Sequence, residues 1–396
     1  MTSTVSTLAD QPAALGAARE LAPRLAGRAE EHDRAGVFPA ADFADLRAAG
    51  LLGLMAPQRL GGAGAGFAGY AEVAMELAAG NGSTALIFNM HAGVTGVLAG
   101  TPDDVARALG VPESYFAARD AVLAGAAAGK LYAVAMSERG AGSRLSAITT
   151  SYTATPGGFH VKGSKAFVSG AGHADAYLVA AKSADSGAVS HFLIPAGDGV
   201  TVEQTWDSLG MRATGSQDVH LDVTVPPDAL LGGIEGLTVL LAQAMPQGLV
   251  ASYAAVYVGV AQAAIDAAVA HAQARDLGRL PAVRARVGRA DAAVAAARLA
   301  VLEAARRVDA APGDPATNRW VWRAKLLAGD TAMEVAASML EGAGTSASRR
   351  GHPLERLYRD ARCGALQPAT SDVCADWLGV AALGGDPEND AAVPRW

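Results

Sequence analysis

Cysteine is nearly absent from this chain of 396 residues, in which only Cys363 and Cys374 occur. Two cysteines without CxxC spacing are too few for a disulfide framework, so we predict buried thiols and no metal centre. Lysine and arginine form no cluster, and the formal net charge is −7. Nucleic acids and anionic membrane surfaces are therefore not expected as partners.

Export and membrane signals are also lacking. The first residues show no basic start followed by an apolar run, so no secretory signal is predicted and a cytoplasmic protein is expected. The most apolar windows, residues 84–100 and 237–270, are interrupted by polar side chains such as Asn89, His91 and Gln243. We interpret both windows as core helices rather than membrane spans.

The periodicity of apolar residues changes twice along the chain. Residues 1–130 show helical spacing, residues 131–234 contain short strand-like runs such as YAVAM and VHLDVTVP, and residues 235–396 return to long alanine-rich helical segments. Helices and strands do not alternate, which argues against a Rossmann sheet. The pattern predicts an α+β protein with three domains at these bounds.

Two loops of the strand-rich part are rich in glycine. The segment AMSERGAGSR, residues 135–144, follows a predicted strand, and its glycines would let backbone amides approach a phosphate. The segment GSKAFVSGAGHAD, residues 163–175, is typical of a hairpin with an aromatic residue at its bend. Each segment alone is an ordinary glycine-rich turn.

Together with SLGMRATGSQDVHLDVTVP, residues 208–226, these loops closely resemble the middle domain of the acyl-CoA dehydrogenase family. The resemblance extends to residues 42–78 and 341–361, and so covers almost the whole chain. It implies an acyl-CoA dehydrogenase-like fold with an N-terminal helical domain, a middle β-barrel domain and a C-terminal four-helix bundle. It also implies a homodimer or homotetramer.

The resemblance implies a flavin held between the β domain and the C-terminal helices, with FAD preferred and FMN as the alternative. Phe167 would lie against the isoalloxazine, Ser169 near N5 and Ser137 near the pyrimidine ring. Ser143 would lie near the pyrophosphate. The full set of cofactor residues that it implies is Met136, Ser137, Gly142, Ser143, Phe167, Val168, Ser169, Arg275, Gly342, Gly344 and Thr370.

A dehydrogenase of this family uses a glutamate to remove the α-proton of an acyl thioester. In the common version that glutamate lies just after an arginine-aspartate pair, but the segment that follows Arg359-Asp360 here reads Gln367-Pro368-Ala369-Thr370. The other known position lies at the start of the first long C-terminal helix, and residues 243–264 contain no carboxylate. A positioned general base contributes roughly 10²–10⁴-fold in rate, so ordinary dehydrogenation is not expected.

Some bacterial relatives without this glutamate are monooxygenases, and this chain is similar to them in that respect. The similarity predicts that reduced flavin arrives from a separate reductase, reacts with O2 to a C4a-hydroperoxide and hydroxylates a small organic substrate, as in specialised metabolism. Ser169, His91 and Gln367 are then the predicted catalytic residues. A satisfied core histidine is the alternative for His91.

Two other functions stay open at this point. One is an acyl-CoA or acyl-carrier-protein dehydrogenase with a non-standard base, for which Glu138 and Glu341 are the candidates. The other is a catalytically silent subunit that pairs with an active relative. His173, beside the hairpin, is interpreted as solvated rather than catalytic.

Overall fold

Helices occupy both ends of the chain and strands occupy its middle. The computed structural model describes residues 10–142, 144–248 and 251–389. The N-terminal helices are α1 (Gln11–Ala35), α2 (Ala40–Ala48), α3 (Phe67–Gly80), α4 (Gly82–Gly100), α5 (Asp103–Ala108) and α6 (Glu113–Ala127). The C-terminal helices are α7 (Leu237–Ala244), α8 (Ser252–Ala274), α9 (Pro281–Ala310), α10 (Pro315–Ala343), α11 (Pro353–Arg362) and α12 (Ser371–Ala382).

The middle domain is one curled seven-stranded sheet. Its strands are β1 (Tyr132–Ala135), β2 (Ser151–Thr155), β3 (Gly158–Val168), β4 (Ala176–Ser183), β5 (Val189–Pro195), β6 (Val200–Glu203) and β7 (Gln217–Val225). The strand order is β1-β4-β2-β3-β7-β6, and β5 pairs with β4. The predicted α+β fold class is confirmed, including its helix, sheet, helix order.

Local sequence signals explain where several helices begin. Asp10 accepts a hydrogen bond from the amide of Ala13 at 3.0 Å and so caps α1. Asp314 caps α10 in the same way through the amide of Ala316, at 2.8 Å. Proline occupies the first turn of α9, α10 and α11, where its missing N–H costs no hydrogen bond.

Glycine permits two close contacts between domains. At Gly259 on α8, an added Cβ would lie 2.3 Å from the carbonyl oxygen of Met75 on α3. At Gly210, before β7, an added Cβ would lie 2.1 Å from the carbonyl oxygen of Arg359 on α11. No other residue fits either position, so the sequence at these points sets how closely the domains pack.

The segment Pro246–Ala274 is long and apolar enough to cross a membrane by length and composition, but 81% of its apolar window is buried inside the protein. Within it, α8 packs against α3, α4, α9 and α10. Helix α8 is therefore a core helix of the C-terminal bundle, as expected for this apolar window.

The three domains meet at a buried cluster of charges around α11. Arg359 donates bidentately to Asp33 of α1, at 2.6 and 3.0 Å, and also to Glu355 at 2.6 Å. The next residue, Asp360, accepts a hydrogen bond from the backbone amide of Met211 at 2.6 Å. One turn of α11 thus connects the N-terminal helices and the β domain to the C-terminal bundle.

Removing the guanidinium should destabilise the whole chain. Arg359→Ala leaves Asp33 as an uncompensated buried carboxylate and removes the closer of the two arginine partners of Glu355, so we expect the free energy of unfolding to fall by about 3–5 kcal/mol. Urea denaturation followed by circular dichroism measures it. The matched control is Arg19→Ala, which breaks the exposed pair with Glu76 and should cost less than about 1 kcal/mol. Equal losses in the two variants would contradict the structural role of Arg359.

Candidate functional site

The two glycine-rich segments singled out from the sequence lie side by side at one end of the sheet. The amide of Ala166 donates to the carbonyl oxygen of Ser137 at 2.9 Å, which joins the end of β3 to the loop after β1. Lys165 Nζ donates to the carbonyl oxygen of Met136 at 3.2 Å. The loop and the hairpin therefore form one continuous surface, on which the half-buried Ser137 lies.

A buried ion pair beneath this surface connects β3 to the loop after β1. Lys165 and Glu138 are almost fully buried, and Lys165 Nζ lies 2.8 Å from Glu138 Oε1. The Glu138 carboxylate also accepts from Thr149, through both its amide and hydroxyl, and from the amide of Thr150. Burial alone would raise the pKa of Glu138, but these hydrogen bonds outweigh it and lower the pKa to about 2.

Glu138 is therefore a structural anion, because its oxygens are occupied and a proton binds it weakly. Glu341, the second candidate base, is exposed and pairs with Arg286 at 2.8 Å. Neither carboxylate is placed to take a proton from a substrate. The structure thus argues against both bases considered for a dehydrogenase.

Phe167 occupies the hairpin position predicted to carry an aromatic ring. The β3–β7 register shifts between Lys165 and Val168, so the strand bulges at this point. Phe167 takes φ +61°, which is uncommon for an aromatic residue, and its side chain is 56% exposed, with its ring edge-on to Trp206 at 6.3 Å. The bulge turns the ring outward, where it forms an exposed aromatic platform.

Ser169, two residues further on, ends a chain of hydroxyl groups. Its Oγ lies 2.9 Å from Oγ of Ser216, which lies 2.7 Å from Oγ1 of Thr214. Thr214 Oγ1 donates to the carbonyl oxygen of Met211 at 2.8 Å. A carbonyl only accepts, so the proton of each hydroxyl points toward Met211. Ser169 Oγ is therefore left as an acceptor at the end of this hydroxyl chain, in a residue that is only 7% exposed.

The remaining residues of this loop and hairpin differ in availability. The amide of Gly142 donates to the carbonyl oxygen of Glu138 at 2.9 Å and closes a tight turn, so it is not free to bind a phosphate as predicted. Gly142 still leaves open space, since an added Cβ would contact nothing within 4 Å. Val168 is fully buried, so its side chain is part of the core. Ser143 lies outside the described residues.

The turn after Arg359-Asp360 is anchored by a lysine that the sequence analysis did not identify. Lys325 of α10 is 1% exposed, and its Nζ donates to the carbonyl oxygens of Gly364 and Gln367, at 2.9 and 3.3 Å. Burial lowers the pKa of Lys325 to about 8. Gln367 keeps a buried Oε1 without a partner in the described part of the chain, and Thr370 caps α12. No carboxylate is present between residues 361 and 371.

His91 has the contacts of a satisfied core histidine, the alternative considered for it, and these contacts do not support its predicted catalytic role. It is 1% exposed, its Nε2–H donates to the carbonyl oxygen of Leu52 at 2.7 Å and its Nδ1 accepts from the amide of Tyr132 at 3.1 Å. Both ring nitrogens are thus held by backbone, and burial lowers the pKa to about 4. His173 is exposed and stacks on Phe38 at 4.0 Å, consistent with a surface role.

Three residues predicted to contact the dinucleotide lie at the C-terminal ends of α8 and α10. Arg275 is exposed at the end of α8, and Gly342 and Gly344 lie at the end of α10. Gly344 has φ +78°, and an added Cβ would contact nothing within 4 Å. Among the described residues, no hydrogen bond joins these three to the residues around Phe167. Their predicted role in cofactor binding stays a prediction.

An apolar cavity lies beside the loop, where all three domains meet. Its wall includes the side chains of Met90, Val94, Leu98, Val134, Met136 and Leu178. Met136 is the direct link between this cavity and the predicted flavin surface. Of the described residues that line the cavity, none is Asp, Glu, Lys or Arg.

Three polar atoms in this cavity have no hydrogen-bond partner in the described structure. They are Nδ2 of Asn89 on α4, Nε2 of His191 on β5 and Oγ1 of Thr238 on α7. Sequence analysis missed His191, although strand alternation in SHFLIP places it opposite the core residue Phe192. That alternation is the signal that could have placed His191 on the face of the sheet that borders the cavity.

Comparisons with known proteins identify the family. Models of the acyl-CoA dehydrogenase N-terminal, middle and C-terminal domains match residues 9–109, 133–224 and 242–376. The chain belongs to the acyl-CoA dehydrogenase family, whose members are flavin oxidoreductases. L-evernosamine nitrososynthase from a Micromonospora species is 31% identical, over 93% of this chain and 89% of its own length.

Two solved structures with the same fold belong to proteins with different activities. The FMN-bound dibenzothiophene monooxygenase TdsC from Paenibacillus sp. A11-2 has a TM-score of 0.81 and 27% identity, covering 94% of this chain and 97% of its own. Butyryl-CoA dehydrogenase from Megasphaera elsdenii has a TM-score of 0.82 and 25% identity, covering 97% of this chain and all of its own. Similarity alone therefore does not separate monooxygenase from dehydrogenase.

The surface formed by the loop after β1 and the hairpin after β3 has features that fit a flavin. It offers an aromatic ring turned outward, a hydroxyl left as an acceptor and glycines with open space beside them. Phe167, Ser169 and Ser137 would hold the ring system of the cofactor. When bound, a flavin supplies redox chemistry that these side chains lack.

The structural role of His91 predicts a pH-dependent stability difference. Because its pKa is about 4 when folded and 6.5 ordinarily, the unfolded chain binds the proton first as pH falls. The free energy of unfolding of the wild-type protein therefore falls between pH 6.5 and 4, because the unfolded state takes up a proton on His91 in this range. His91→Asn should be less stable by about 1–3 kcal/mol at pH 8, and the deficit should narrow toward pH 5.

Urea denaturation at several pH values measures this difference. Burial raises the pKa of Asp360 to about 6, so Asp360 makes the folded state more stable as pH falls, opposite to the effect of His91. This contribution is the same in the wild type and the variant, so it cancels in their comparison. His160→Asn, at an exposed pair with Asp222, is the control and should cost less than about 1 kcal/mol. A deficit for His91→Asn that does not change with pH would contradict the assignment.

Proposed function

We propose that this protein is a flavin-dependent monooxygenase that receives reduced flavin from a separate reductase and uses O2 to hydroxylate a small organic substrate. FAD is the proposed flavin, with FMN as the alternative, and a homodimer or homotetramer in the cytoplasm is the proposed working form. The supporting observation is a cavity beside the flavin surface that holds no carboxylate among its described lining residues.

A dehydrogenase needs a carboxylate next to the substrate, and three candidate carboxylates in the described part of the chain already have partners within the fold. Asp309, which lines an adjoining cavity, accepts from the amides of Phe67 and Ala68 at 2.6 and 2.9 Å and so caps α3. Asp360 accepts from Met211, and Glu138 is paired with Lys165. Without a free base the α-proton of a thioester stays in place, which favours chemistry that needs no such base.

The overall reaction balances without any group that the proposal does not name. Reduced flavin gives two electrons and two protons, O2 gives one oxygen atom to the substrate and the other leaves as water, and oxidised flavin departs. The chain contributes the apolar cavity wall, which excludes water from the reacting groups. Ser169 Oγ would accept a hydrogen bond from the cofactor, and Phe167 would support its ring.

Rapid mixing tests the proposal. The purified protein is incubated anaerobically with reduced FAD and mixed with oxygenated buffer, while the flavin absorbance is followed. We expect flavin reoxidation to be delayed relative to free reduced flavin, with a transient spectrum before the oxidised flavin appears. In parallel, butyryl-CoA should not bleach protein-bound oxidised FAD. Immediate reoxidation together with thioester bleaching would overturn the proposal in favour of a dehydrogenase.

The hydroxyl chain ending at Ser169 predicts a preference for the reduced cofactor. Reduced flavin carries a proton on N5 and oxidised flavin does not, so an acceptor at this point stabilises the reduced form. Ser169→Ala should weaken the binding of reduced flavin about fivefold more than that of oxidised flavin, because one hydrogen bond contributes about 1 kcal/mol.

Anaerobic titrations with FAD and with FMN measure this and also decide between the two cofactors. Ser164→Ala is a suitable control, since Ser164 is exposed on β3 and bonds only His220, at 2.8 Å. Equal weakening for both oxidation states would show that Ser169 does not act on N5.

A further inference from the structure

The apolar cavity is lined by three residues whose buried polar atoms form no hydrogen bond within the described structure. His191 is 5% exposed and Asn89 is fully buried, yet Nε2 of the first and Nδ2 of the second have no partner in the described structure. Thr238 Oγ1 is in the same state. Buried polar groups in native proteins are nearly always hydrogen-bonded, so three such atoms in one cavity indicate a ligand that completes them.

The three groups come from three different domains. His191 lies on β5, paired with Ala180 of β4, on the sheet face that carries Val134 and Leu178. Asn89 is fixed on α4, where its Oδ1 contacts the hydroxyl of Tyr70, which also lies 3.1 Å from the carbonyl oxygen of Ser252, and its Nδ2 is directed elsewhere. Because a single ligand would contact all three, its shape is constrained by how the domains meet.

The chemistry of the wall limits the charge of the ligand. No Asp, Glu, Lys or Arg is found among the described lining residues, so an ionised substrate would lose its hydration without gaining a counter-charge. Burial lowers the pKa of His191 to about 4, so the imidazole is neutral near pH 7. It then offers one N–H and one lone pair, which suit a neutral hydrogen-bonding group and not an anion.

We propose that His191, together with Asn89 and Thr238, selects the substrate, and that the substrate is an uncharged, largely apolar molecule with neutral hydrogen-bonding groups such as hydroxyl or carbonyl. The inference rests on the proposed function in treating this cavity as the substrate site. His191 acts as a positioning and specificity residue, since its neutral imidazole can form a hydrogen bond to the substrate but carries no charge.

Three probes with one shared ring system test this selection. Naphthalene has no hydrogen-bonding group, 2-naphthol adds a neutral hydroxyl and 2-naphthoate adds a negative charge. Equilibrium dialysis with the full-length purified protein gives the three dissociation constants. We expect 2-naphthol to bind at least about tenfold more tightly than naphthalene, and 2-naphthoate to bind more weakly than either.

His191→Leu should reduce this preference for 2-naphthol to near unity while naphthalene binds equally well or better. It should also leave the ligand-free protein at least as stable, because it removes an unpartnered polar atom. Thr238→Val, which is nearly isosteric, gives a second test that does not depend on how His191→Leu folds, and should lower the preference about threefold. His160→Leu, on the exposed part of β3, is the matched control and should change no dissociation constant.

The proposal is overturned if 2-naphthoate binds most tightly, if 2-naphthol does not bind, or if its preference survives in both variants. A loss of stability in His191→Leu with unchanged ratios would show a merely structural histidine. Binding of the probes requires neither reduced flavin nor O2. Failure here would therefore leave the monooxygenase proposal standing, and failure of the rapid-mixing test would leave this binding result intact.

Discussion

The buried pairing of Arg359 with Asp33, followed at once by the contact between Asp360 and Met211, is the constraint on which the site depends. Both contacts originate from one turn of α11, so the N-terminal helices, the sheet and the C-terminal bundle are positioned against one another at a single point. Gly210 lets the sheet approach the backbone of α11 at this place. Because the cavity is bounded by all three domains, its shape depends on this junction.

Two buried lysines each bind a loop of the site through hydrogen bonds. Lys165 holds the loop after β1 against the hairpin through Met136 and Glu138, and Lys325 holds the turn after α11 through two backbone carbonyls. Burying a lysine is costly unless its donors are satisfied, and here the donors are used to fix irregular backbone. Each lysine thus connects a loop near the proposed chemistry to the core of the fold.

The same scaffold is found in proteins of different activity, such as dibenzothiophene monooxygenase and butyryl-CoA dehydrogenase. Here the turn at which the family glutamate is expected reads Gln367-Pro368, and three neutral polar atoms without a partner in the described structure belong to residues that line the cavity. A wall of this kind cannot remove a proton from a thioester, but it can orient an uncharged molecule and exclude water. This contrast connects the loss of the base to the proposed change of reaction.

The sequence by itself determined the order of helices and strands, because apolar periodicity and the positions of glycine and proline are local properties of the chain. It also predicted the loop at Ser137 and the aromatic at Phe167, since these belong to contiguous motifs. Tertiary structure alone decided that His91 is satisfied by backbone and that the Gly142 amide closes a turn. Likewise, only tertiary structure brings His191, Asn89 and Thr238 to one cavity, because hydrogen-bond satisfaction depends on neighbours distant in the chain.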